Sequence, residues 1–259
     1  MSFDPLPAAR ELLRIRRERG ILERLDPRIA PSNDVQGAAV QHALARLVGA
    51  DPPAGFKIGA TGRRMQAYLG IAAPIAGFMR AEDVHHREAE LRFVDHVGPG
   101  VECEVAVRLA RDLAPAPCSR DEALAAVGEL VAGIELVENR YGDLKALGTP
   151  VLTADQMYHA AAVVGATDAN WRSLDVGALR GRITIADGAS DAGTTGDLLG
   201  DPLNGLAWLA GSPLAAAFGG LKAGQVIMLG SVTPPIWLSG PAHVTVMFPP
   251  LPPVTLRLV

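Results

Sequence analysis

The chain has 259 residues, of which 49% are apolar and 20% charged, and it carries a net charge of −4. That composition supports a sizeable core and excludes an intrinsically disordered chain, and the lack of a basic patch leaves no nucleic-acid footprint. No apolar run is long enough to span a bilayer. The start lacks the uninterrupted apolar stretch of a secretory signal. Two cysteines, Cys103 and Cys118, are too few for a disulfide framework, so the expected setting is a reducing cytoplasm.

In chain order, residues 8–19 read as a helix stopped by Gly20. Its arginines (Arg10, Arg14, Arg16, Arg17 and Arg19) are diluted by Glu11 and Glu18 and read as a solvated helix face. Residues 21–25 suggest one more turn before Asp26-Pro27. Asn33 and Gln36 resemble an N-cap with a reciprocal partner three residues on. The helix they open runs to about Val48, with Val35, Ala39, His42, Ala43 and Leu47 inward and Gly49 ending it. His42 reads as a packing histidine. Asp51-Pro52-Pro53 is a stiff connector, dividing an N-terminal helical segment (1–53) from the main domain (54–259).

Gly55-Phe56-Lys57-Ile58-Gly59-Ala60-Thr61 is a short strand with glycines near both ends. Lysine is rarely buried without a partner. Lys57 is therefore either a surface lysine with a buried stem or a cation facing an anionic substrate or a carboxylate cluster. Residues 63–70 form a short helix. Residues 71–100 are mixed, with alternation near 91–94 and a Gly98-Pro99-Gly100 turn. His85 and His86 are adjacent, so their side chains point apart and make a poor metal pair.

Residues 101–109 organise the rest. In Val-Glu-Cys-Glu-Val-Ala-Val-Arg-Leu, a period of two puts Val101, Cys103, Val105, Val107 and Leu109 on one apolar face. Glu102 and Glu104 lie on the other, followed by Ala106. Two carboxylates side by side on a hydrophobic strand repel each other and, if covered, lose hydration. Either that face is open to water or a cation sits there. Hard divalent cations such as Mg²⁺ take oxygen ligands, and Glu135 offers a third carboxylate in the apolar stretch Gly133-Ile134-Glu135-Leu136-Val137. Between them, Ser119-Arg120-Asp121-Glu122 is a capping box, opening a helix to about Ala132 that Gly133 closes.

Beyond Tyr141 the pattern is mostly β. Residues 161–164 are a small-residue apolar run. Residues 183–186 meet a hairpin signal at Asp187-Gly188. Asp201-Pro202 starts a helix over 203–210. Strands follow near 226–229, 237–238, 244–248 and 255–259, suggesting a rolled or barrel-like sheet. Gly193-Thr194-Thr195-Gly196 is too short for a phosphate loop. Zinc-binding and serine-hydrolase motifs are missing.

Gly55-Phe56-Lys57-Ile58-Gly59, Val101-Glu102-Cys103-Glu104-Val105-Ala106, Glu135-Leu136-Val137 and the run from Leu199 through Asp201-Pro202-Leu203-Asn204 to Leu209 stand in an order and spacing that resembles the hydratase/decarboxylase branch of the fumarylacetoacetate hydrolase superfamily. Its members include 2-keto-4-pentenoate hydratase and 4-oxalocrotonate decarboxylase. The resemblance covers nearly the whole chain. It implies an α+β fold with a mixed β-roll core and an N-terminal helical segment, a Mg²⁺ or Mn²⁺ site, a homo-oligomer, and a small 2-oxo or 2-hydroxy-dienoic acid substrate. Glu102, Glu104 and Glu135 match the family's metal ligands and Lys57 its active-site lysine. The implied reaction adds water to a 2-hydroxy-2,4-dienoate, giving a 4-hydroxy-2-oxo acid, in catabolism of aromatic-type compounds. Decarboxylation, C–C hydrolysis or non-catalytic binding of a small acid are the alternatives.

The chain also departs from that pattern. Asp155-Gln156-Met157-Tyr158 stands where the family has Asp-Asn-x-Ser, and Ile75-Ala76-Gly77 replaces an acidic residue before Phe78. Asp155, Gln156 and Tyr158 are candidates for placing water or a proton donor.

Overall fold

The computed structural model describes residues 3–259 apart from Asp187. Helices α1 (Leu6–Arg17) and α2 (Asp34–Leu47) precede β1 (Gly55–Gly59), α3 (Arg63–Leu69) and β2 (Ile75–Met79). Strands β3 (Val84–His86) and β4 (Glu88–Leu91) lead into two long strands, β5 (Pro99–Leu109) and β6 (Val127–Glu138), with α4 (Arg120–Ala126) between them. Helices α5 (Leu144–Leu147) and α6 (Thr149–Ala154) come before β7 (His159–Val164), β8 (Arg180–Ile185) and β9 (Ser190–Thr194). The chain ends with α7 (Pro202–Ala210), α8 (Pro213–Ala217), β10 (Val226–Ser231), β11 (Ile236–Trp237), β12 (Ala242–Phe248) and β13 (Leu251–Leu258).

The strands form two sheets. The larger runs β2-β1-β10-β5-β6-β7-β3, with β11 added to β5, and curls into a half-barrel. The smaller runs β4-β13-β12-β8-β9. The fold is therefore mixed α+β with a rolled sheet, as the sequence suggested. Val101, Cys103, Val105, Val107 and Leu109 join the main core with Val244, Val246, Leu256 and Leu258 of the smaller sheet and Leu206 and Leu209 of α7. Residues 8–50 contribute Ala8, Leu12, Val40 and Leu44 to that same core. The opposite face of the larger sheet carries a separate, small apolar patch of Met79, Ala106, Val131, Ala162, Val164, Val226 and Met228. The carboxylates rise beside that patch. Among the described residues, no helix is long and apolar enough to cross a membrane.

Several expected boundaries shift. The strand β6 starts at Val127, so α4 ends at Ala126 and Gly133 lies inside the strand. Pairing with β5 along the full length, from Pro99↔Glu138 to Leu109↔Val127, overrides the helical pattern. Arg19, not Gly20, takes the left-handed conformation after α1 (φ 54°), and residues 21–25 form no helical turn, with Leu22 bridging Tyr141. Asn33 caps α2, but the Gln36 side chain reaches Ser32 instead of Asn33. That helix buries Gly37, Ala38, Val40, Gln41, Leu44 and Ala45, while Val35 is 67% exposed. The polar Gln41 faces inward because it bonds the β2 backbone at Ala76 O and Phe78 N, which turns the helix away from the purely apolar stripe. His42 packs on Phe218 and bonds Asp51. The alternation expected at 91–94 falls at 88–91. The short helices α5 and α6 interrupt the β pattern after Tyr141. The expected 183–186 hairpin is β8–β9, its Asp187 lying outside the described residues.

Candidate metal centre and substrate pocket

The antiparallel register of β5 and β6 sets Glu102 directly opposite Glu135 and Glu104 opposite Gly133. All three carboxylates therefore share one face, and an oxygen of each lies within 4.8 Å of the others. Glu104 and Glu135 are buried, and Glu102 is half-buried. Gly133 leaves this space open: a Cβ would come within 2.8 Å of the Met228 methyl, which would have to shift.

Lys57 reaches the cluster from β1. Phe56 and Ile58 point into the main core, so alternation turns Lys57 onto the carboxylate face. Its side chain is 2% exposed and Nζ lies 3.4 Å from Glu135 Oε1, which decides between the two readings of this lysine in favour of the one facing carboxylates. A second donor converges on the same oxygen: His159 Nδ1 lies 2.8 Å from Glu135 Oε1. Glu135 Oε2 is buried with no partner. Glu104 Oε2 accepts the Gly230 N–H at 3.0 Å. That N–H is aimed by a bulge in β10, between Met228 and Ser231. Gly230 has φ +107°, and a Cβ there would meet Thr61 Oγ1 at 2.1 Å, so only glycine fits.

The charges are unbalanced. Burial, then the Glu135 charge, pushes Glu102 up to about 8 against the pull of Lys57. Burial and both neighbouring glutamates raise Glu104 well above the ordinary carboxylate range. Glu135 is also buried, but Lys57 and His159 together hold it below its ordinary value. Three carboxylates with one lysine and an orphaned buried oxygen suit a hard divalent cation.

Residues 155–158 fold onto this face. A Cβ on Gly77 would meet Gln156 at 2.8 Å, and one on Gly59 would meet the Met157 sulfur at 3.6 Å. Gln156, Met157 and Tyr158 all have positive φ (57°, 34° and 69°). Three consecutive non-glycine residues in this region are costly and persist only where surroundings over-determine them. Here they do. Arg16 of α1 holds Asp155 Oδ1 at 2.6 Å and also bonds the Gln156 side chain. Gln156 Nε2 donates to Phe78 O. Tyr141 Oη donates to Asp155 Oδ2 at 2.8 Å and accepts the Tyr158 N–H. Asp155 itself is 2% exposed and ringed by Arg16, Arg140 and Tyr141. Arg16 is thus no solvated residue. The remaining arginines of that segment match the surface reading better: Arg14 pairs with Glu11 and Glu18, and Arg19 with Asp95.

Tyr158 is half-buried, its ring 5.6 Å from that of Trp237 and 5.1 Å from that of Tyr141. Burial, and secondarily Tyr68 and the nearby Glu102, raise its phenol above the ordinary range. Trp237 lies across Gly100, where a Cβ would meet the indole at 2.5 Å. Gly100 is two residues from Glu102 on the same face.

Residue-by-residue reading missed His159, Gly230, Arg16 and Trp237. Strict alternation from Ala162 would put Ala160, not His159, on the carboxylate face. A bulge in the β6–β7 pairing, which sets His159 opposite Val137, reverses that parity, and nothing local announces it. Gly230 alone carried a signal, as a glycine inside an apolar strand. His85 and His86 join no metal-ligating cluster among the described residues.

Among known proteins, the chain is 33% identical over 183 residues to a 4-oxalocrotonate decarboxylase of a Pseudomonas species, covering 69% of this chain and 68% of that one. It is 30% identical over 183 residues to a 2-hydroxyhexa-2,4-dienoate hydratase of Comamonas testosteroni, covering 70% and 68%. The structure superposes on 4-oxalocrotonate decarboxylase from Pseudomonas putida G7, complexed with magnesium and adipate, with TM-score 0.88 at 22% identity, over 98% of this chain and 97% of that one. No protein-family model matches. Sequence relatives and fold agree, and the chain belongs to the hydratase/decarboxylase branch of the fumarylacetoacetate hydrolase superfamily.

Proposed function

We propose that the chain is a metal-dependent hydro-lyase that adds water to a 2-hydroxy-2,4-dienoate (2-oxo-4-enoate) and yields a 4-hydroxy-2-oxo acid. The carrying observation is the buried cluster of Glu102, Glu104 and Glu135 with Lys57 as its one ion-paired lysine or arginine among the described residues. Hydratase-named relatives at 30% identity support the choice of reaction. A decarboxylase acting on a related 2-oxo acid is the second reading, supported by the 33% identical relative.

Glu102, Glu104 and Glu135 would hold Mg²⁺ or Mn²⁺, and the orphaned Glu135 Oε2 and the raised Glu102 and Glu104 fit that donor role. A bound divalent cation supplies positive charge beside a substrate oxygen that gains negative charge during reaction. Gly230 N–H and His159 Nδ1 orient Glu104 and Glu135. Lys57 binds the substrate carboxylate and can carry a proton. Tyr158, its phenol raised, stays protonated at neutral pH and serves as a donor. Asp155 works at one remove: it fixes Tyr141 and Arg16, which hold the 156–158 turn. The enzyme works in the cytoplasm as a homo-oligomer on a small acid.

The test is loss of ultraviolet absorbance by freshly generated 2-hydroxypenta-2,4-dienoate, with the Mg²⁺-loaded protein. Metal-dependent loss giving 4-hydroxy-2-oxopentanoate, abolished in Glu104→Gln, is expected. No loss despite Mg²⁺ binding would sink the hydratase assignment and favour decarboxylation.

A further inference from the structure

Trp237 and Tyr158 have no part in holding a cation, yet the chain goes to some length to place them. Gly100 leaves room for the Trp237 indole, which crosses β5 two residues before Glu102. The strained turn at 156–158 swings Tyr158 toward the same edge, and eight hydrogen bonds involving Arg16, Arg140, Tyr141 and Gln156 anchor it. The two rings meet at 62°, forming a corner. Trp237 is 45% exposed and Tyr158 half-buried, and Glu102 is the one member of the carboxylate cluster that is not fully buried. The corner therefore borders the open side of the cluster. The Tyr158 hydroxyl makes no hydrogen bond among the described residues.

Three cations near the site are already engaged. Lys57 is committed to the inner end of the site, 3.4 Å from Glu135. Arg16 and Arg140 are tied to Asp155 and Glu138. At the rim, Lys145 lies over the Tyr68 ring, 4.5 Å from its centroid. A distal carboxylate on the substrate would have to give up its water against aromatic faces, an unfavourable exchange, while a planar, conjugated or alkyl tail would gain contact there.

We infer that Trp237 and Tyr158 form a specificity corner for the far end of the substrate, selecting monocarboxylic 2-oxo acids with an uncharged tail over dicarboxylic ones. The inference rests on the oxo-acid reading above and adds the substrate class.

Calorimetric titration of the full chain with saturating Mg²⁺ tests it, using pyruvate, 2-oxohexanoate and 2-oxoadipate. The last two have the same number of carbons and differ at the distal end alone. The expected ranking on the unaltered protein is 2-oxohexanoate tighter than 2-oxoadipate by tenfold or more, with pyruvate between or below. In Trp237→Ala and Tyr158→Ser the ratio should fall to threefold or less, whereas Trp237→Phe and Tyr158→Phe should keep most of it. A merely structural role for the rings would weaken all three acids alike and leave the ratio standing, which would overturn the inference. Pyruvate binding with 2-oxoadipate equal to or tighter than 2-oxohexanoate would also overturn it and shift attention to Lys145. Failure of pyruvate itself to bind would overturn the oxo-acid reading, and the corner with it. The ranking on the unaltered protein needs no variant to fold.

Discussion

The molecule buries carboxylates in two ways. Asp155 sits among two arginines and a tyrosine hydroxyl, and although burial opposes it, Arg16 and Arg140 hold its carboxyl below the ordinary range. Glu102, Glu104 and Glu135 sit among one lysine, one histidine and one backbone N–H, and two of the three are pushed up. The first group is complete by itself and fixes a strained turn. The second has too little positive charge for its three carboxylates, and we propose that a divalent cation completes it. That difference separates a structural acid from a ligand site more sharply than burial does, because both are buried.

Substitution breaks the comparison most visibly at Asp155. Asp155→Asn leaves Arg16 and Arg140 facing a neutral group, at a cost of about 3–5 kcal/mol, and thermal denaturation should show Tm falling on the order of 10 °C. Glu104→Gln in metal-free protein should do the reverse: with one repelling charge gone and the Gly230 N–H still bonded, Tm should rise by a few degrees. Next in size is Gly230→Ala. Its positive φ and the Thr61 side chain leave no room, so a loss of about 2–3 kcal/mol is expected, with Mg²⁺ affinity lowered roughly 10–100-fold as Glu104 loses its orienting donor.

Stability against pH sharpens the contrast further. Glu102 and Glu104 have folded pKa values above their unfolded ones, so the folded chain binds more protons and metal-free stability falls as pH rises. For Glu102 the window runs from the ordinary 4.5 to about 8. Asp155 has the opposite sign: its contribution is present above the ordinary 3.8 and is lost only as pH falls through a lower value. Metal-free melts should thus decline between about pH 5 and 8, and Glu104→Gln should flatten that decline. A Tm that rises across this window would contradict the raised carboxylates. The smallest effect is expected at His159. His159→Asn removes one of two donors to Glu135, and about a tenfold loss in Mg²⁺ affinity, read by calorimetry, is the anticipated size.

Much of this site was legible because β-strand alternation is rigid. One apolar face on residues 101–109 put Glu102 and Glu104 together on the other, and Lys57 stood out as a charge in an apolar strand. Capping chemistry likewise fixed the starts of α2, α4 and α7 at Asn33, Ser119 and Asp201. What could not be read depends on partners distant in sequence. The helix-like stretch at 127–132 became strand because β5 was there to pair with it. His159 faces the cluster because of a bulge. Arg16 looks like any surface arginine until it meets Asp155, 139 residues away. The turn at 156–158 contains no glycine, so nothing in its composition advertises a left-handed backbone.

The central claim, that Glu102, Glu104 and Glu135 form a divalent-cation site, is tested most directly by titrating Mg²⁺ into metal-free protein and into Glu104→Gln while following Tm. The account predicts a saturable rise in Tm for the unaltered chain that is larger at pH 8 than at pH 6, and a rise at least several-fold smaller in the variant. No Mg²⁺-dependent rise in the unaltered chain, or an equal rise in both, would contradict it.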